Sequence, residues 1–369
     1  MGKILVTGGA GFIGSYITDE LIKEGHAVRI LDNLDKQVHP EGKKPSYLNP
    51  KAEFMLGDVT KINDLEEALK DVDAVFNEAA AVGIGQSMYK VQHYVNTNSI
   101  GTANLLEILA NRKHSVKRVI QASSMVLYGE GAYNCGSCGH VRPQVRTQDQ
   151  IDKHGWEPIC PKCHGKTEPA PITEDAMQRC NSVYAVTKKN QEDLVLSVCK
   201  AYGIEAVALR YFNVFGPRQS LNNPYTGVAA IFLNRVKTAQ PMTIYEDGLQ
   251  SRDFISVHDV ARANILALQA EKTGSYNIGS GKMTQINKVA ETAISLYNAD
   301  IKLQPTGAFR KGDIRHCYAD ITRAREELGW EPKTTFKEGM KELVEWSKNE
   351  TASNYNDQAE KELKNKGLL

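Results

Sequence analysis

In the segment SVYAVTK, Tyr184 and Lys188 stand four residues apart. On a helix that spacing puts both side chains on one face. An ammonium beside a phenol favours the phenolate, so Tyr184 could take up a proton near neutral pH. Upstream, QASSMVLYG sets Ser123 and Ser124 just after an apolar run, 118–121, that reads as a strand. Open α/β sheets bind ligands beyond the carboxyl ends of their strands. Ser124 could therefore hydrogen-bond the same oxygen that Tyr184 deprotonates. A second chemistry is written in cysteine. CGSCG and CPKCH hold Cys135 with Cys138 and Cys160 with Cys163, two CxxC pairs with 21 residues between them. Four thiolates suit a tetrahedral zinc ion. His140 and His164 follow the pairs, but four cysteines already close the site. A closed site leaves the metal no open position, so its expected role is structural.

The tyrosine–lysine pair gains meaning from the first residues, MGKILVTGGAGFIG. Gly9 to Gly14 satisfies GxGxxG where a strand should turn into a helix. Gly8, Gly11 and Gly14 permit the tight turn and the close approach of backbone to a pyrophosphate. Phe12 and Ile13 open the helix whose free N–H groups face that anion. Asp32 closes the second strand, 18 residues after Gly14, where an acid binds a ribose 2′-hydroxyl. Its carboxylate would repel the extra phosphate of NADP, and LDNLD offers no arginine. NAD is the expected cofactor. Asn33 adjoins it. Asp58 and Val59, after the third strand, are placed near the adenine. Ala79 and Ala80, after the fourth, are small where backbone must pass the cofactor.

Short apolar runs at 3–7, 27–31, 53–56, 74–76, 118–121 and 206–209 alternate with helical patterns. That rhythm predicts an α/β fold with a Rossmann-like, doubly wound parallel sheet. The expected division is a dinucleotide-binding domain over 1–215 with a return segment near 254–281. Residues 216–253 and 282–348 form a smaller α/β substrate domain. A zinc-ribbon-like insertion over 130–175 breaks the rhythm. Residues 349–369 read as a polar tail, a frayed helix or disordered. The insertion lies between Ser124 and Tyr184, so a lid or rim over the substrate, or a dimer contact, is expected of it. Cys180, Cys199 and Cys317 read as small core residues.

Lys and Arg number 45 against 44 Asp and Glu, for a net charge of +1. That balance gives no field to attract nucleic acid or a membrane surface. No apolar stretch is long enough to span a bilayer, and the N-terminus lacks a signal pattern. A cytoplasmic protein is expected. A zinc ribbon on a non-catalytic scaffold could instead bind nucleic acid or protein. Its basic residues, however, interleave with acids, and no aromatic ladder accompanies them.

TGGAGFIG, LDNL, GDV, ASSMVLYG, YAVTK, RYFNVFGPRQ, QSRDFISVHDVA and RKGDIRHCYAD together resemble the extended short-chain dehydrogenase/reductase superfamily. The resemblance is to its NAD-dependent sugar-nucleotide epimerase and dehydratase branch. It implies that Ser124, Tyr184 and Lys188 are catalytic and that Asn98 lies near the nicotinamide-side ribose. Asn213, Arg252, Arg310 and Asp313 would hold a nucleotide diphosphate and its sugar; a planar guanidinium fork suits a diphosphate. It also implies a homodimer through helices near 100–109 and 184–202. Dehydratases of this branch place an Asp-Glu pair after the serine, and its decarboxylases a glutamate. Here Met125 and Val126 follow, and neither transfers a proton. Epimerisation at the sugar C4 through a transient 4-keto sugar is the reaction implied. The cysteine-bearing insertion resembles members acting on a dTDP-6-deoxyhexose such as dTDP-L-rhamnose. UDP-glucose and UDP-galactose are the alternative substrates.

Overall fold

Seven short segments pair side by side as one sheet in the computed structural model of the protein: β1 (Lys3–Thr7), β2 (Ala27–Asp32), β3 (Glu53–Leu56), β4 (Val72–Asn77), β5 (Arg118–Ser124), β6 (Glu205–Tyr211) and β7 (Gly274–Ile278). The order is β3-β2-β1-β4-β5-β6-β7, and every neighbouring pair is parallel. Residues 2–310, 312–353 and 356–368 are described, with backbone alone for 356–359. Parallel strands covered on both faces are apolar along their length. β5 departs from that rule, being buried throughout although it reads RVIQASS, and Arg118, Gln121 and Ser123 each donate a hydrogen bond. Helices Phe12–Lys23 and Val257–Gln269 cover one face through Ile17, Leu21, Val260 and Ile265. Helices Gly101–Asn111 and Val183–Ala201 cover the other through Leu105, Leu109, Val195 and Cys199. The fold is thus the doubly wound Rossmann-like sheet, with its strand order reversing between β1 and β4.

A smaller unit packs helices Val228–Lys237, Ile286–Tyr297 and Phe336–Lys348 around Leu233, Met242, Val289 and Leu343. Two features depart from the sequence reading. Ile321, Ala324, Leu328 and Trp330 were expected in this unit but pack into the core of the large sheet. The Trp330 indole reaches back to the Asp259 carbonyl. Residues 349–369, expected as a frayed helix or a disordered tail, carry a helix, Asn356–Asn365, that packs back on the fold. Its Leu363 is buried, and Tyr89 and Tyr225 both donate to Glu362 Oε2, at 2.8 and 3.0 Å. One leucine in a polar helix leaves no periodicity to read.

The seventh strand, GSYNI, was not among the expected runs because it is polar. Its polar groups are matched from outside. Tyr128 donates to Asn277 Oδ1 at 2.6 Å, and Asn277 Nδ2 donates to the Ile172 carbonyl. Nearby, Arg210 of β6 and Glu192 form an ion pair at 2.5 Å with side chains 5% and 2% exposed. Arg210 also donates to the Tyr128 hydroxyl and the Glu174 carbonyl, and Ser123 donates to Glu192. No helix among the described residues is long and apolar enough to cross a membrane.

Removing one partner of a buried pair strands the other charge. Arg210→Met should therefore cost about 3–5 kcal/mol of stability, read by chemical denaturation. A loss below about 1 kcal/mol would show that the pair is not what holds Glu192 in the core.

Candidate active site

The carboxyl ends of β1, β2, β4, β5 and β6 open into one cleft. At the end of β1 the chain turns through Gly8, whose φ is +67°. A side chain on Gly8 would meet the Ala79 Cα at 2.8 Å, and one on Gly14 would meet the Gly8 carbonyl oxygen at 2.5 Å. The two strands flanking the reversal point therefore approach as closely as glycine and alanine allow. Gly8, Gly11, Phe12, Ile13, Gly14, Asp32, Asn33, Val59, Ala79 and Ala80 all line this cavity. Asp32 Oδ2 accepts from the Ala10 N–H at 3.0 Å and Oδ1 from the Leu34 N–H at 2.9 Å. Each oxygen keeps a lone pair toward the cleft, as two ribose hydroxyls require. Burial pushes the Asp32 carboxyl up, against the pull of those two N–H groups.

Ser124, Tyr184 and Lys188 line the inner end of the same cavity. The Ser182 hydroxyl caps the Val183–Ala201 helix by accepting from the Ala185 N–H at 3.1 Å, and Ser87 Oγ accepts from the Tyr184 N–H. Tyr184 is 8% exposed and Lys188 3%. Burial pushes the Tyr184 phenol up to about 12, and a hydrogen bond with Ser124 draws it down. Burial pushes Lys188 down to about 8, opposed by the carboxylates of Glu78 and Glu192. The protein alone therefore keeps the phenol protonated at neutral pH, and a positive ring stacked beside it would be needed to lower it further.

A second cavity adjoins the first, with volumes of about 380 and 400 Å³. Tyr184 and Asn213 belong to both walls. The phenol thus stands where the two cavities join. Arg252, Arg310 and Asp313 line the second cavity. Asp313 bonds both arginines, Arg252 Nη2 at 3.1 Å and Arg310 Nη2 at 2.9 Å. Burial pushes the Asp313 carboxyl up, but the two guanidinium groups outweigh it and hold it low. The Asn213 Oδ1 is buried with no hydrogen-bond partner, an orphan acceptor that a bound ligand would satisfy.

The model of the NAD dependent epimerase/dehydratase family matches residues 4–145, and that of GDP-mannose 4,6 dehydratase matches 162–343. A dTDP-L-rhamnose 4-epimerase of Burkholderia thailandensis is 35% identical over 93% of this chain and 94% of its own. The chain belongs to the NAD-dependent epimerase/dehydratase family. A putative UDP-glucose 4-epimerase of Methanocaldococcus jannaschii is 36% identical over 94% of this chain and 98% of its own. The structure of Thermus thermophilus UDP-glucose 4-epimerase complexed with NAD superposes with a TM-score of 0.76. It is 28% identical and covers 95% of this chain and all of its own.

Two expected contacts of this family member lie elsewhere. Asn98 is fully buried in a π-helical turn, Val95–Ile100, behind the cleft wall. Its carboxamide accepts from the Ala81 N–H at 2.8 Å and donates to the Ala81 carbonyl and to Thr187. It fastens the Ala79–Ala81 backbone to the Tyr184 helix, leaving no group for a ribose. Asp58 accepts from Asn33 Nδ2 and from the Thr60 N–H and hydroxyl. It shapes the adenine end from behind, where Gly57 and Val59 form the wall. A serine or threonine two residues after an Asp marks such a closed turn, and GDVT shows it.

The four cysteines do meet. Cys135, Cys138, Cys160 and Cys163 bring their Sγ atoms within 4.8 Å of one another. His140 and His164 are not in that group. A tetrahedron with metal–sulfur arms of about 2.3 Å has edges of about 3.8 Å, so the cluster fits a tetrahedral ion. The thiols also compete. Backbone N–H groups of Cys163 and Lys162 lower Cys160 to about 6, while hydrogen bonding to Cys163 pushes Cys138 up to about 12. A cation is what lets all four ionise together. The surrounding three strands, Ala132–Cys135, Gly139–Val141 and Glu168–Ala170, bury only Tyr133, Val141, Cys135 and Cys160 as a core. Of the other cysteines, Cys199 and Cys317 are buried and Cys180 half-buried, as expected of core residues.

Glu78 was missed. It sits in NEAAA, where an acid interrupts small apolar residues; that interruption was the signal. It lines the cofactor cavity and accepts from the Tyr211 hydroxyl at 3.0 Å. Burial lifts it to about 7, against Tyr211 and Lys188. Its carboxylate in turn raises the ammonium of Lys188. Glu78→Gln removes that support, so Lys188 should lose its proton at lower pH. The alkaline fall of kcat/KM is expected to move to lower pH in a full pH–rate profile. An alkaline limb at the wild-type position would show that Glu78 does not act on Lys188.

Proposed function

We propose that the protein is an NAD-dependent sugar-nucleotide 4-epimerase whose substrate is a dTDP-6-deoxyhexose such as dTDP-L-rhamnose. The carrying observation is the wall beside the reactive phenol. Next to Ser124 and Tyr184 the second cavity presents Val82, Ile84, Met125 and Val126. These four side chains suit a C6 methyl group, and none of them is a cation for a C6 carboxylate or an acid for the proton transfers that elimination needs. The thymidine follows the Burkholderia thailandensis relative, whose name gives dTDP-L-rhamnose. UDP-glucose is the second reading, supported by the Methanocaldococcus jannaschii relative.

Bound beside Tyr184, NAD supplies a hydride acceptor that, after one transfer, is the donor for the return. Gly8 to Gly14 would hold its pyrophosphate and Asp32 its adenosine ribose. Tyr184 takes the proton from the C4 hydroxyl, Ser124 hydrogen-bonds the same oxygen, and Lys188 stabilises the phenolate. The 4-keto sugar turns to present the opposite face of C4 to the returning hydride, and Tyr184 returns the proton to the C4 oxygen. Arg252, Arg310 and Asn213 would grip the diphosphate meanwhile. Cys135, Cys138, Cys160 and Cys163 would hold a structural zinc ion that orders the insertion. A homodimer would bury the exposed Val91, Val95, Ile100, Val186 and Tyr202, which lie on the turn-and-helix layer carrying Tyr184.

A panel of dTDP- and UDP-sugars, incubated without added cofactor and read by NMR at C4, tests the substrate. Inversion of dTDP-L-rhamnose is the expected outcome; inversion of UDP-glucose alone overturns the thymidine and methyl assignments. Tyr184→Phe should lower kcat about 10²- to 10⁴-fold while NAD binding holds; retained turnover removes the phenol from the mechanism. Chelation with verified metal loss should lower the melting temperature, and an unchanged melting curve would end the structural role.

A further inference from the structure

The insertion was expected over the substrate, yet no residue of 130–175 lines either cavity. It docks instead on the outer side of the loop that carries Arg310 and Asp313. Trp156, Glu157 and Arg146 make the contact, and Arg146 lies deepest in it. Arg146 is wholly buried and pairs in two-pronged fashion with Glu246, both N–O distances being 2.9 Å. The same guanidinium donates to the Trp156 carbonyl at 2.9 Å and reaches the Asp313 carbonyl at 3.4 Å. It stacks over the ring of Phe309, 5.3 Å from its centroid. Glu246 fixes the other end of that loop, for its N–H donates to the Ala308 carbonyl and its carbonyl accepts from Gly307.

We propose that Arg146 is a positioning residue for the diphosphate clamp, the means by which the cysteine-rich insertion sets the affinity for the nucleotide sugar. It touches no ligand cavity. It ties the insertion to both sides of the clamp, to Phe309 before Arg310 and to Asp313 itself, and Asp313 in turn bonds Arg252 and Arg310. A charge-paired guanidinium at zero exposure has one rotamer and one set of partners, so it holds the loop where a solvated side chain could not. The binding of the diphosphate therefore depends on the order of the insertion, although the insertion never reaches it. The inference rests on the nucleotide-sugar reading of the second cavity.

Arg146→Met tests it with little risk to the fold, because Glu246 keeps a second partner, Arg315 Nη1, at 2.8 Å. Affinities for free TDP and free UDP are measured by calorimetry, beside NAD affinity, melting temperature and steady-state kinetics. Arg146→Met should weaken nucleoside-diphosphate binding about 3- to 30-fold and raise KM by a similar factor, with kcat and NAD affinity kept. Arg146→Lys, which keeps the charge but not the fork, should fall between. Unchanged affinity and KM in Arg146→Met overturn the proposal, as does a loss of NAD binding equal to the loss of nucleotide binding. Should Arg146→Met be insoluble, Arg146→Lys decides by the same criteria. Wild-type protein that binds neither TDP nor UDP overturns the nucleotide-sugar reading instead, and the two failures are thereby distinct.

Discussion

A phenol and an ammonium held out of water, one helical turn apart, set the terms for everything around them. Burial drives both toward neutrality, the phenol up to about 12 and the ammonium down to about 8. Charge and hydrogen bonds placed around the pair oppose that drift. Ser124 stabilises the phenolate, and Glu78 and Glu192 stabilise the ammonium. The positive ring of an oxidised nicotinamide beside the phenol would lower it further. Such coupling suits a reaction in which proton and hydride must leave the same alcohol together.

The two cavities share the edge of the Tyr184 side chain. The strand order reverses between β1 and β4, opening the crevice in which a dinucleotide would lie. Gly8 against Ala79 makes the crevice floor close, and Asn98 makes it stiff by tying Ala81 to Thr187. Asn213, just past β6, lines both cavities and carries an unsatisfied oxygen.

Much of this was legible in the sequence because local patterns carried it. Strand, glycine turn and helix are contiguous around GGAGFIG, and Tyr184 and Lys188 share a helix face by spacing alone. Two CxxC pairs announce their own meeting. What was not legible depended on distant partners. GSYNI became a strand because Tyr128 and Ile172, near the end of the insertion, satisfy Asn277. Asn98 and Asp58 have the residue types of ligand contacts, and only the fold gives them the protein partners Ala81, Thr187, Asn33 and Thr60. The Asn356–Asn365 helix folds back because Leu363 finds Gly85 and two tyrosines find Glu362. No window of sequence contains both members of those pairs.

The insertion shows why an ion can stand where a core would not. Its three strands are too short to exclude water by themselves, and two of its four core side chains are cysteines of the four-thiol cluster. An element of that size would gain order from ligation more than from burial. Ala132, Ala170 and Ile172 join the main core, and its contacts to the smaller unit include ion pairs. Arg146 and Glu157 meet Glu246, Arg315 and His316 of the smaller unit. Buried ion pairs contribute little net stability but discriminate sharply between one arrangement and others. A hydrophobic docking face would have tolerated sliding by a fraction of an ångström; a two-pronged guanidinium does not. The loop pinned in this way carries Arg310 and Asp313. Precision matters there, because a diphosphate held loosely would leave the sugar C4 out of line with the phenol.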